Sequence, residues 1–184
     1  MNAWHIGQAA RTARRGGVIA YPTEAVYGLG CLPWCQEAVL RILRLKRRSR
    51  SRGLILITSS LEQVEPLVHF RGIDRARVLA AWPGPVTWIL PASRLVPDWV
   101  RGNSRDVAIR VTAHAPTRAL CELTGPLVST SANVSGGAPA RSAARVRACF
   151  PAGIDYVVPG SAGAGPAPSE IRDARSGAIL RKGG

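Results

Sequence analysis

Lysine is nearly missing from this sequence: of 25 basic residues, only Lys46 and Lys182 are not arginine. Acidic residues are scarce too, 11 in 184 positions, which leaves a formal net charge of +14. Such an excess suits a polyanionic partner, either nucleotide phosphates or nucleic acid. The arginine bias itself has two readings, a preference for gripping phosphates or a codon bias of the genome. Cys31, Cys35, Cys121 and Cys149 contain no C-x-x-C pair, and His5, His69 and His114 lie far from them in sequence, so buried reduced thiols are expected rather than a zinc site. There is no apolar run of about 18 residues to cross a bilayer, and the first residues lack a charged start followed by an apolar core. A cytoplasmic location without membrane contact is therefore expected. No G-x-x-x-x-G-K-[ST] phosphate loop occurs, the Gly160 to Gly165 stretch has the wrong spacing for G-x-G-x-x-G, and no Ser-His-Asp set is credible.

What is present is a chain 46% hydrophobic, long enough to bury a proper core and best read as one domain over 1–184. The stretch from Gly17 to Gly30 organises the rest. Residues 18–21 read as a buried strand that Pro22 ends, and Thr23 to Gly30 as a loop at the strand's end. That loop either lines a ligand cleft at the sheet's carboxyl edge or is a strand-to-helix connection with a capping threonine. Around it, helices are expected at 4–13, Gln36–Leu45, 61–70, 73–82, 116–123 and 143–150, and strands at 54–57, 86–90, 107–111, 127–130 and 154–158. Residues 91–106 read as irregular, 159–168 as a mobile loop, and 170–173 with 178–181 as a closing hairpin. The alternation predicts an α/β fold, a twisted mixed sheet with flanking helices.

Chemistry concentrates in three places. Seven basic residues lie from Arg41 to Arg52 with no acid among them. Arginine forks and a lysine point charge together can hold a triphosphate; a solvated cationic helix end explains only two or three of them. Ser129-Thr130-Ser131-Ala132-Asn133 places hydroxyl and amide groups just past a strand, where they bind phosphates or a base, or serve as turn and capping residues. Arg110 is a lone charge among Val107, Ala108, Ile109 and Val111, so it needs a carboxylate, either internal, such as Glu24, or a substrate's.

Six segments in order resemble the YrdC family over nearly the whole chain: Tyr21 to Gly30, Lys46-x-Arg48, Trp82 to Thr87, Val107 to Val111, Ser129 to Gly136, and Pro168 to Asp173. The resemblance implies a nucleotidyltransferase that joins L-threonine, bicarbonate and ATP into L-threonylcarbamoyladenylate and releases pyrophosphate, feeding the threonylcarbamoyl modification of tRNA beside the anticodon. It implies a basic concave face holding the site, ATP bound by Lys46, Arg48, Arg52, Ser131, Asn133, Pro139 and Ser169, and threonine bound by Thr23, Arg110 and Ser129. Lys46 and Arg48 would be the catalytic pair. Magnesium would arrive with ATP, with no tightly bound cofactor and no protein-held metal. tRNA or double-stranded RNA and downstream threonylcarbamoyl-transfer proteins are the implied partners. Ser49, Arg52 and Ala25 depart from the residues usual in the family. The alternative is a non-catalytic RNA-binding protein using the same basic concavity.

Overall fold

Along residues 18–21 the side chains alternate between two cores: Val18 and Ala20 enter a larger apolar cluster, Ile19 and Tyr21 a smaller one. A strand covered on both faces reads as a continuous apolar run for this reason. The computed structural model describes residues 2–163 and 169–183. In chain order its strands are β1 (Ile19–Pro22), β2 (Tyr27–Gly30), β3 (Ile55–Thr58), β4 (Val86–Pro91), β5 (Asp106–Val111), β6 (Leu127–Ser131), β7 (Tyr156–Val157), β8 (Glu170–Asp173) and β9 (Ile179–Arg181). They form one mixed sheet in the order β7-β1-β2-β6-β3-β5-β4-β8-β9. Pairs β1–β7, β3–β5 and β4–β8 are parallel and the others antiparallel, so the expected mixed sheet is present.

The helices are α1 (Ala3–Arg14), α2 (Gln36–Leu45), α3 (Arg75–Ala80), α4 (Asp98–Arg101), α5 (Ala115–Thr124) and α6 (Ala143–Cys149). Side chains of Asn2, Asp74 and Ser142 accept from backbone N–H groups at the starts of α1, α3 and α6, satisfying donors that have no partner inside the helix. On one face of the sheet, Val39, Ile42 and Leu43 of α2 and Val146 of α6 bury with Leu29, Leu56, Trp88 and Ile109. On the other, Ala9, Ala10 and Ala13 of α1 and Leu120 of α5 cover Ile19, Tyr21, Ile57 and Leu127. These two helices stop short. Farther along the same face, cross-strand register aligns Gly28 with Ser131, Ser129 with Ile55, Ile55 with Ala108, and Ala108 with Ile89, and all of these residues line a cavity instead.

Five expectations need correction. Residues 23–30 are a β-hairpin, not a loop: only Thr23 to Val26 turn, and β2 returns antiparallel to β1. Gly30 has to be glycine there, because a Cβ would stand 2.6 Å from the Val128 carbonyl oxygen and 2.8 Å from the Tyr21 ring. Residues 61–70 hold a 3-10 turn, Glu65–Leu67, with Pro66 removing a donor an α-helix would need, and the helix expected at 73–82 is only α3. Residues 91–106 contain α4, and the strand expected at 154–158 pairs only over β7. The closing hairpin is β8–β9, whereas the loop expected at 159–168 lies partly outside the described residues.

All four cysteines are free, Cys31 and Cys121 buried and the other two half-buried; burial pushes the Cys121 thiol up to about 12, which keeps it protonated. Among the described residues no helix is long and apolar enough to cross a membrane.

Candidate active site

The uncovered part of the sheet floors a cavity of about 940 Å³. Nine of the residues singled out from the sequence line it: Thr23, Lys46, Arg48, Arg52, Arg110, Ser129, Ser131, Asn133 and Ser169. Pro139 does not. It sits half-buried in the loop after Asn133, where Ala140 is docked on the sheet, accepting from the Tyr27 N–H at 2.7 Å and donating to the Ala132 carbonyl at 3.0 Å.

The end of α2 explains the Lys46-x-Arg48 spacing. Arg48 N–H reaches back to the Leu43 carbonyl at 2.9 Å and Arg47 N–H to that of Arg44 at 3.0 Å, the paired bonds that close a helix through a left-handed residue. Arg47, at φ 49°, takes that conformation without being glycine, a local strain of about 1–2 kcal/mol. The reversal leaves Arg47 exposed and turns Lys46 and Arg48 into the cavity wall. Beyond it, the Ser49 and Ser51 hydroxyls bond at 2.7 Å and Ser49 Oγ accepts from the Ser51 N–H, closing the turn where proline is usual in the family that the sequence resembles.

Lys46 is 3% exposed, and its ammonium donates to the carbonyls of Ser131 and, at 2.8 Å, Asn133, with Asn133 Oδ1 at 3.5 Å. Burial first, then the neighbouring Arg48, brings this amine down to about 8. Arg48 spends one N–H on the Gly53 carbonyl at 2.7 Å, while its buried Nε has no partner. Its guanidinium is held below its ordinary value by burial and then by Arg52 and Arg181. Arg181 on β9, which the sequence reading treated only as part of a hairpin, lines the same wall and donates to the Ser169 carbonyl at 2.7 Å; burial and Arg110 pull it down likewise. The acids in the wall are committed elsewhere, Glu24 to Arg110, Asp106 to Arg175 and Glu170 to Arg172. Among the described residues, none of Lys46, Arg48, Arg52 and Arg181 has a carboxylate partner. Cations gathered around a shared cavity with no acid left to offset them make a site for an anion.

At the other end, Thr23 is 7% exposed, and its N–H and hydroxyl both donate to the Val26 carbonyl, at 3.1 and 2.7 Å. The hydroxyl therefore closes a hairpin turn and keeps acceptor capacity for a ligand. Arg110, 8% exposed, meets Glu24 Oε2 at 3.2 Å, so of the two partners open from sequence the internal one is occupied. The pairing is incomplete: Arg110 Nε has no hydrogen-bond partner, and a second carboxylate can take it. Glu24 also accepts from the Thr112 hydroxyl at 2.7 Å. Burial works to raise the Glu24 carboxyl, but Arg110, a backbone N–H and Thr112 outweigh it and hold it below its ordinary range. Among the described residues no group of three or more His, Cys, Asp or Glu is placed to hold a metal ion.

Residues 11–183 match the Sua5/YciO/YrdC family model, described as "Telomere recombination". A threonylcarbamoyl-AMP synthase of Stutzerimonas stutzeri is 50% identical over 97% of this chain and 97% of its own, and one of Pseudomonas savastanoi pv. phaseolicola is 47% identical over the whole of both. The crystal structure of P. abyssi Sua5 complexed with L-threonine has a TM-score of 0.92 at 35% identity, covering all of this chain, which spans only 55% of that one.

Proposed function

Because the chain belongs to the Sua5/YciO/YrdC family, we propose that it is an L-threonylcarbamoyladenylate synthase, acting on L-threonine, bicarbonate and ATP. The observation that carries this reading is one cavity whose cations at one end have no carboxylate partner among the described residues, with an incompletely paired, buried arginine at the other. The triphosphate lies against Lys46, Arg48, Arg52 and Arg181, with Ser131, Asn133 and Ser169 beside it. The threonine carboxylate takes the free edge of Arg110, with Thr23 and Ser129 alongside. Magnesium enters on ATP as part of the substrate.

Threonine's ammonium group gives up a proton to solvent, and the free amine combines with bicarbonate, losing water, to give a carbamate. A carbamate oxygen then attacks the α-phosphorus, a new O–P bond forms, and the bond to pyrophosphate breaks. No strong acid or base is required, so the protein contributes positioning and neutralisation of the leaving charge. The product supplies threonylcarbamoyl transfer to tRNA, through partner proteins in the cytoplasm. A surface of this charge also binds RNA backbone, and that binding falls steeply with salt.

The test is mass spectrometry of a reaction containing ATP, magnesium, bicarbonate and mixed amino acids. A threonylcarbamoyl adenylate that requires every component is expected; salt-sensitive tRNA binding with no adenylate formed would leave the RNA-binding reading standing in its place.

The lowered Lys46 amine gives a pH signature. With its value near 8 in the free protein, it is partly neutral in mildly alkaline solution, and a bound triphosphate raises it again. ATP binding at pH 8 to 9 should therefore take up protons, and affinity should fall as pH rises through that window. Calorimetry in two buffers of different ionisation enthalpy measures the uptake, which Lys46→Met should abolish.

A further inference from the structure

Gly28 has no evident reason, in this fold, to be glycine. It lies inside β2, aligned with Tyr21 on one side and Ser131 on the other, and is not among the glycines with positive φ. A Cβ built on it would sit 3.5 Å from each of Ser129 Oγ, Thr23 Cγ2 and Tyr21 Cζ, which is ordinary contact distance, in contrast to the 2.6 Å collision two residues later at Gly30. Glycine weakens a strand relative to alanine, so the omission of a side chain here needs another explanation. Gly28 lines the cavity, and so do Thr23 and Ser129.

The volume left open has a particular chemistry. A methyl group of Thr23 and a ring carbon of Tyr21 bound it on two sides, and the Ser129 hydroxyl on the third. The Tyr21 hydroxyl next to it is fully buried with no hydrogen-bond partner. An apolar wall facing one methyl, with hydroxyls beside it, complements a side chain that itself carries one methyl and one hydroxyl. We propose that Gly28 is a specificity-determining residue: the space in place of its side chain receives the methyl-bearing side chain of the amino-acid substrate. The inference rests on reading this end of the cavity as the amino-acid site.

The experiment is Gly28→Ala, assayed for ATP-dependent adenylate formation with threonine, serine and glycine separately. One methyl group in a fitted pocket discriminates by about 10- to 200-fold. The variant should therefore lose at least about tenfold in kcat/KM for threonine relative to serine, with the KM for ATP and the melting temperature close to those of the parent. An unchanged threonine-to-serine ratio overturns the inference. Equal loss of all three amino acids overturns it as well, since a size filter cannot produce that result. A variant that fails to fold overturns it by giving Gly28 a structural reason. If the unmodified protein makes no adenylate from threonine, the function reading fails and this inference with it; turnover by the unmodified protein with an unaltered ratio in the variant sinks this inference alone.

Discussion

Replacing Lys46 with methionine should lower pyrophosphate release about a thousandfold, the loss that follows removal of one preorganised charge-stabilising donor at a reacting group. Methionine keeps the apolar stem and deletes only the ammonium. Its three acceptors, the carbonyls of Ser131 and Asn133 and the Asn133 side-chain oxygen, are then left in a buried place without that donor. The Lys46 carbonyl also accepts from the Ser135 N–H at 2.9 Å, and Asn133 Nδ2 donates to the carbonyls of Val134 and Gly137 at 2.9 and 2.7 Å. One lysine thus ties the end of α2 to the whole 131–137 turn. Stranding its acceptors should cost about 3 kcal/mol of stability, a fall of roughly 6–12 °C in melting temperature for a chain of this size. Turnover measured well below the melting transition separates the two effects. Lys46→Arg should not rescue, because a planar fork cannot address three converging oxygens as an ammonium does. Near-normal pyrophosphate release in Lys46→Met would remove the nucleotide role given to this residue.

Arg110→Gln should raise the KM for threonine about 100-fold while leaving the KM for ATP within a few-fold, since losing one partner of a buried charge pair costs about 2–5 kcal/mol. The change acts twice. It deletes the fork to which the proposed reading assigns the substrate carboxylate, and it leaves Glu24 without the charge that helps outweigh burial. The carboxyl should then rise, so that the variant's activity depends on pH in a range where the parent's is flat. Steady-state kinetics with each substrate varied in turn decide the matter. A raised KM for ATP with an unaltered KM for threonine would exchange the two ends of the cavity.

Much of this site is legible in the sequence because its signals are local. A lone arginine in an apolar strand, a cationic run without acids and hydroxyls after a strand each need only a few residues to be seen, and the fold brings all three to one cavity. Arg181 carried the same signal as Arg110, a charge closing the apolar pair Ile179 and Leu180, but its position in a terminal hairpin hid it. The strand β2 was missed for a different reason. Gly28 and Gly30 occupy alternate positions facing the cavity side, so the period that marks a strand is written there in missing side chains. Residues 61–70 have apolar positions at helical spacing, and Val64, Leu67 and Val68 are indeed buried; Pro66 decides the local backbone against an α-helix. The internal pairing of Arg110 with Glu24 depends on a contact across 86 positions of sequence and could be proposed but not chosen without coordinates.

Strand β6 pairs with β3 at Ser129 and with β2 at Ser131. On the proposed reading, which sets threonine beside Ser129 and the nucleotide beside Ser131, the two substrates are gauged against the same ruler, two peptide units or about 6.6 Å long. A ruler of that kind has no fine adjustment: inserting or deleting one residue would invert which side chains look inward. On that reading, accommodating a bulkier amino acid must fall to the enclosing walls, because the spacing between Ser129 and Ser131 is built into the backbone.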